Sequence, residues 1–203
     1  MPNLEEANLL NPVSQIRFYL QITHSQGIIR RYFVVNGFDG ALTMLGLIIG
    51  FLFSPPSSLQ IIINACMGAT IALAVSGTSS AYVSEQAELR LALSNLQDAM
   101  VTELHKGVHA EAARWVPIFI ALVNGSAPLI ISLLIISPLW LATQGMAFFI
   151  TPLQGAIFIA IVIIFLFGVF LGRLSGVTWL ISGIKTLLIA ALTVALIYLF
   201  TKG

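Results

Sequence analysis

One acidic residue, Asp39, lies within an apolar stretch, Tyr32–Phe53, that is long enough to cross a bilayer. A carboxylate in hydrocarbon costs about 2.5–3.5 kcal/mol on insertion scales, so such a residue is typical of an ion or substrate pathway. Asn36 and Thr43 precede and follow it at helical i−3 and i+4 spacing, which predicts one shared helix face. This face offers carboxylate, amide and hydroxyl oxygens to a desolvated cation. Met44 adds a thioether nearby.

A second polar surface is predicted at the end of the next apolar stretch, where most residues from Ser76 to Tyr82 carry a hydroxyl group. In lipid, such a surface favours contact with protein or water over contact with acyl chains. If the two helices are antiparallel, Thr78 and Ser80 lie beside Asp39 and belong to the same pathway. The alternative for Asp39 is a protonated carboxyl group that hydrogen-bonds a neighbouring helix.

Asn124 lies four residues before Pro128, near the middle of the third apolar stretch. The proline removes one backbone hydrogen bond, and its ring opposes the carbonyl group of Asn124. A kink at this point exposes carbonyl oxygen, which membrane proteins tolerate only against protein or a wet cavity. A place in the ion pathway and a plain packing kink both fit this pattern.

The polar segment 84–114 follows the second apolar stretch and contains five acidic residues. Glu85 and Glu88 are spaced i, i+3 and could hold one cation between them. Glu103 and Glu111 add further carboxylates to the same segment. The competing interpretation is a solvated, amphipathic connector between two membrane helices.

The elements that position these residues follow from hydropathy. The chain has 203 residues, of which 58% are hydrophobic and 8% charged, against about 25% charged in soluble domains. Runs of about 20 apolar residues predict an all-α integral membrane protein with five transmembrane helices, near Tyr32–Phe53, Leu59–Val83, Trp115–Ile136, Pro152–Leu171 and Trp179–Phe200. The predicted organisation is an N-terminal amphipathic or interfacial segment (1–31), transmembrane helices 1–2 (32–83), a cytoplasmic acidic helical segment (84–114) and transmembrane helices 3–5 (115–203).

Charge predicts the orientation and excludes several functions. Eight of the nine lysines and arginines fall on one side of this topology, which places the N-terminus inside and the C-terminus outside. A net charge of +1 gives no indication of nucleic-acid binding. The single cysteine, Cys66, excludes an internal disulfide and a cysteine-based zinc site. An enzyme is not expected, because no Ser–His–Asp or Cys–His arrangement is evident and paired Glu-x-x-His motifs are absent. The lack of a targeting segment favours a prokaryotic cell membrane.

Five short segments occur in order along the predicted spans, namely Asp39-Gly40, Ala81-Tyr82-Val83-Ser84, Ala127-Pro128-Leu129, Gly172–Gly176 and Ser182–Ile189. Through these segments, the chain from Arg30 to Phe200 resembles the vacuolar iron transporter family of small divalent-metal exporters. Two positions depart from the family pattern: Gly77 stands where a methionine is usual, and Ala81 stands where an acid is often found. The Glu-rich cytoplasmic segment is also shorter than in the family.

The resemblance implies a homodimer of five-helix protomers with a pathway between the subunits. It implies export of Fe²⁺ or Mn²⁺ from the cytoplasm in exchange for protons, with no permanently bound cofactor. Asp39 would be the transport carboxylate, and the carboxylates of the acidic segment would collect metal, namely Glu85, Glu88, Glu103 and Glu111. The alternative is a membrane binding or scaffold protein that has the same fold but does not transport.

Overall fold

The computed structural model describes residues 12–55, 57–100, 108–146 and 150–202, and the regular structure of these residues is entirely helical. The all-α class is confirmed. Five of the six helices in this part of the chain, α2 to α6, are long and apolar enough to cross a membrane, as predicted for a multi-pass membrane protein. The helices are α1 (Pro12–Ile22), α2 (Gln26–Phe53), α3 (Leu59–Met100), α4 (Val108–Thr143), α5 (Pro152–Leu174) and α6 (Trp179–Lys202).

Three helices extend beyond the apolar stretches that predicted them. Helix α2 begins at Gln26, ahead of Tyr32, and α4 begins at Val108, ahead of Trp115. Helix α3 continues from the second apolar stretch through the polar segment to Met100. The residues after Val83 include many strong helix formers, such as Glu, Gln, Ala, Leu and Arg, so the helix persists where the hydropathy falls.

The described chain divides into two compact units, which share helices α2, α3 and α4. The first unit comprises the described residues up to Phe33 together with Val75–Ser126, and the second comprises Val34–Ala74 together with the described residues from Ala127 onward.

Helix α1 packs against α4 in the first unit. Tyr19 and Leu20 are buried there against Ala112, Val116 and Ile120 of α4. These three α4 residues recur every fourth position, which gives one apolar stripe along the helix. Helix α1 lies within the predicted N-terminal segment 1–31, whose amphipathic or interfacial character stays a prediction; residues 1–11 of that segment lie outside the described chain.

The second unit has an apolar core made by five helices. Helices α5 and α6 approach closely at Gly172, where an added Cβ atom would lie 2.7 Å from the Ser182 side chain. Helix α5 begins with a capping box in which the Thr151 and Gln154 side chains bond each other's backbone amides. Fully buried members of the core include Met44, Ile48, Cys66, Ile135, Leu139, Ala156 and Ile164.

Candidate functional site

The predicted ion-binding face lies on α2 in the second unit. Because the helix runs unbroken from Gln26 to Phe53, Asn36, Asp39 and Thr43 lie on one side of it. Asp39 is exposed on the surface of the protomer, whereas Asn36 and Thr43 are half-buried. The carboxylate is therefore directed outward from an apolar helix.

The rotation of α2 is set by the residue that follows Asp39. Gly40 is buried against Pro128 of α4, and a Cβ atom at Gly40 would lie 3.0 Å from the Pro128 Cα atom. Ala41 is also fully buried. With Gly40 and Ala41 packed inward, the preceding carboxylate has to point away from the core. The Asp39-Gly40 pair thus combines a close helix contact with an outward-facing acid.

Met44 lies in the core of the second unit and not on the face that carries Asp39. Its side chain is fully buried, and the Thr70 hydroxyl lies 3.9 Å from its sulfur atom. The same hydroxyl donates to the Cys66 carbonyl oxygen at 2.8 Å. The sequence did not single out Thr70, although a polar residue four positions after Cys66 in an apolar run was a usable signal.

Asn124 holds the backbone of α3 in the first unit. Its side-chain amide, which is 1% exposed, donates to the Gly77 carbonyl oxygen at 2.7 Å. The Ser80 hydroxyl donates to the same oxygen at 3.3 Å. Ser80 is exposed and Thr78 is half-buried. A Cβ atom at Gly77 would lie 3.5 Å from the Asn124 amide nitrogen, so this amide packs against the position where the resemblance expects a methionine.

The predicted metal-collecting carboxylates occupy different environments. Glu85 is 5% exposed and hydrogen-bonds the Tyr32 side chain, whereas Glu88 is exposed. Glu111 is half-buried and accepts a hydrogen bond from the Tyr19 hydroxyl at 2.7 Å. Glu103 lies outside the described residues.

Across the part of the chain that the structure describes, no group of three His, Cys, Asp or Glu side chains is close enough to hold a metal ion. The described protomer therefore does not bring these acids together as one multidentate centre. The i, i+3 spacing of Glu85 and Glu88 predicted a shared cation, but Glu85 is buried against Tyr32 while Glu88 is exposed. A tyrosine on another helix was the signal for this partner, and a search for pairs of acidic residues does not consider it.

The Tyr19–Glu111 contact alters the acidity of the tyrosine. Burial, and then the hydrogen bond and negative charge of Glu111, raise the pKa of Tyr19 to about 12. The phenol therefore stays protonated at neutral pH and remains the donor in this hydrogen bond. It joins α1 to the start of α4 across a sequence separation of 92 residues.

Asp39, Asn36, Thr43 and Met44 belong to the second unit, whereas Thr78, Ser80 and Asn124 belong to the first. The predicted proximity of the hydroxyl-rich segment to Asp39 stays a prediction.

Comparison with known proteins identifies one family relationship. No protein-family model matches the chain, and no solved structure matches it. The chain is 32% identical over 170 residues to the "Uncharacterized protein MJ0645" of Methanocaldococcus jannaschii, an alignment that covers 82% of this chain and 85% of that protein. The chain belongs to the same family as this archaeal protein.

Proposed function

We propose that the protein is a transmembrane transporter that exports divalent transition-metal cations, Fe²⁺ or Mn²⁺, from the cytoplasm in exchange for protons. The observation that carries this proposal is the exposed Asp39 on an otherwise apolar membrane helix. A carboxylate at such a position costs about 2.5–3.5 kcal/mol when it faces hydrocarbon, and acids in membrane helices mark ion pathways and proton relays. A desolvated carboxyl group can also exchange a proton for a cation.

The proposed assembly is a homodimer in which a second copy covers the Asp39 surface. Support comes from α3, where the exposed residues Gly68, Ala72, Ser76 and Ser80 recur at every fourth position. Small residues at this spacing are typical of close helix–helix contacts in membranes. Two copies of Asp39 would then offer two carboxylates to one ion.

Glu85, Glu88 and Glu111 are proposed to lie on the cytoplasmic side and to collect metal there. Glu88 is exposed and open to solvent, while Glu85 and Glu111 are each held by a tyrosine hydroxyl. The proposed cellular location is a prokaryotic membrane, with the N-terminus inside and the C-terminus outside; the archaeal relative is consistent with this location.

The test is a flux assay in proteoliposomes with Fe²⁺, Mn²⁺, Co²⁺, Zn²⁺ and Ca²⁺, each with and without a pH gradient. We expect Asp39→Asn to keep the fold and to abolish transport, because the amide cannot exchange a proton for a cation. Asp98→Asn is the matched control: Asp98 is exposed on the same chain but lies outside the proposed pathway, so its rate should equal that of the wild type. Wild-type flux by the Asp39 variant would overturn the proposal.

A second candidate function is a membrane binding or scaffold protein with the same fold. It is favoured by the geometry at Gly77, where the Asn124 amide packs against a residue without a side chain and no thioether is offered to a softer ion such as Fe²⁺. This function predicts that the wild-type protein gives no flux of any of the five cations at either pH condition.

A further inference from the structure

A groove in the first unit lies between α1 and the start of α4. Its volume is about 500 Å³, within the range of sites that hold small molecules. One wall comes from α1 and the other from one side of α4. The residues that matter for the argument are Gln15 and Tyr19 on α1, and Glu111, Trp115, Ile118 and Leu122 on α4.

The α4 wall runs from a charged end to an apolar end. Glu111, Trp115, Ile118 and Leu122 are spaced i, i+4, i+7 and i+11, which places them along one face of the helix. At 1.5 Å per residue this face is about 16 Å long, close to one leaflet of a hydrocarbon core of about 30 Å. Trp115 and Leu122 are 52% and 60% exposed, so the groove is open to its surroundings.

One charged side chain, Glu111, lines the polar end of the groove, and a second of opposite charge, Arg114, lies next to a lining residue. The Glu111 carboxylate is held in place by the Tyr19 hydroxyl at 2.7 Å. Arg114, one turn further along α4, is exposed, and its guanidinium carbon lies 5.9 Å from the centre of the Trp115 ring. The Glu111 carboxylate therefore lines the polar end of the groove, and the exposed Arg114 guanidinium lies beside the Trp115 ring, which also lines it.

The groove is preformed by the way α1 is anchored. Tyr19 and Leu20 are buried in the core of the first unit, and Ser25, after the turn, donates its backbone amide to the Leu20 carbonyl oxygen at 3.0 Å. The α1 wall is therefore fixed against α4 without any ligand. A ligand that fills the groove would not need to order either helix, which lowers the cost of binding.

We propose that this groove binds a zwitterionic aminophospholipid of the adjoining leaflet, with its ammonium group on Glu111, its phosphate on Arg114 and an acyl chain along Ile118 and Leu122. The charge order on α4 matches a headgroup that carries one charge of each sign. The Trp115 ring lies at the junction of polar and apolar surface, where aromatic side chains in membrane proteins are enriched. The site does not include Asp39; it shares Glu111 with the proposed metal-collecting acids, but lipid binding does not require that the protein transports a metal.

The test measures binding of phosphatidylethanolamine and phosphatidylglycerol with identical acyl chains to the full-length protein in detergent, by native mass spectrometry. We expect phosphatidylethanolamine to bind about tenfold more tightly, the ratio expected for one charge-assisted hydrogen bond. Glu111→Gln should remove this preference, because the amide still accepts the Tyr19 hydrogen bond but carries no charge. Arg114→Gln should weaken both lipids. Asp98→Asn and Arg173→Gln, at exposed sites outside the groove, should leave both affinities unchanged.

A second measurement keeps the inference falsifiable if the Glu111 variant fails to fold. A photoreactive amino acid at Leu122, in the otherwise wild-type chain, should crosslink to phospholipid after irradiation in vesicles. Crosslinks to a second copy of the chain, or to its own residues 1–11, would overturn the inference, as would equal affinities for the two lipids in the wild-type protein.

Discussion

Gly40→Ala should destabilise the protein, because the added methyl group would have to occupy the contact between α2 and α4. A Cβ atom at Gly40 would lie 3.0 Å from Pro128 Cα and 3.1 Å from Pro128 Cβ. Carbon atoms in favourable contact are about 3.5–4.0 Å apart, so the two helices would have to separate by several tenths of an ångström. Pro128 cannot rotate out of the way, since the contacted atoms belong to its backbone and its rigid ring.

The magnitude follows from two opposing terms. Overpacking of a tight core costs about 1–3 kcal/mol. The change from glycine to alanine within a helix returns up to about 1 kcal/mol, because the unfolded chain loses conformational freedom. A single variant would therefore show only the difference between these terms, and a matched glycine is needed to separate them.

Gly50 is that matched position, because it lies in the same helix and a Cβ atom there meets nothing within 4 Å. Gly50→Ala should therefore show the helical gain without the clash. The expected difference in free energy of unfolding between the two variants is about 1–3 kcal/mol, with Gly40→Ala the less stable. Reversible unfolding in mixed micelles, followed by circular dichroism, measures it. Equal stability of the two variants would refute the close approach of α2 and α4 at Gly40.

Three further outcomes are expected. Gly168→Ala should destabilise the protein more than Gly40→Ala does in the same assay. Its Cβ would lie 2.8 Å from the Ser182 carbonyl oxygen and would force α5 and α6 apart; wild-type stability would contradict this. Asn124→Ala should cost about 1–3 kcal/mol through loss of its buried hydrogen bond to Gly77, and a change below about 0.5 kcal/mol would contradict that role. The pKa of Tyr19 is raised to about 12, so the folded state keeps a proton that the unfolded state releases near pH 10. The contribution of Tyr19 to the free energy of unfolding should therefore be fully present below pH 10 and be lost as the pH rises towards 12. Thermal unfolding of Tyr19→Phe should lack this pH-dependent loss.

The membrane helices could be predicted from the sequence because a helix that crosses a bilayer needs a long apolar run, and five such runs are present. The same rule cannot find where a helix ends outside the membrane. The second apolar stretch ends at Val83, yet α3 continues to Met100. The helix continues because its backbone hydrogen bonds do not depend on the hydropathy of the side chains. Gln26 starts α2 well before the apolar residues begin for the same reason.

The candidate site could be predicted only as far as one helix carries it. The spacing of Asn36 and Thr43 predicts that they lie on the side of α2 that bears Asp39, and the prediction holds because the helix is continuous from Gln26 to Phe53. The partners of Glu85 and Glu111 come from distant segments, and no local periodicity shows that a tyrosine faces each acid. Acidic spacing therefore predicted possible metal ligands but not the hydrogen bonds that hold two of them.

Three carboxylates of the described chain, Glu85, Glu111 and Asp39, fall into two physical classes, and this difference bears on where an ion could pass. Glu85 and Glu111 each accept a hydrogen bond from a tyrosine hydroxyl within the protomer, so part of the cost of their burial is offset locally. Asp39 points outward from an apolar helix whose next residue is locked against Pro128. Whatever offsets its cost has to come from beyond this surface, as water, an ion or another protein chain. Of these three predicted metal ligands, Asp39 is therefore the one whose environment a second copy covering this surface would change most. The same reasoning explains why Gly40 and Asp39 have to be tested together: the first fixes the direction in which the second points.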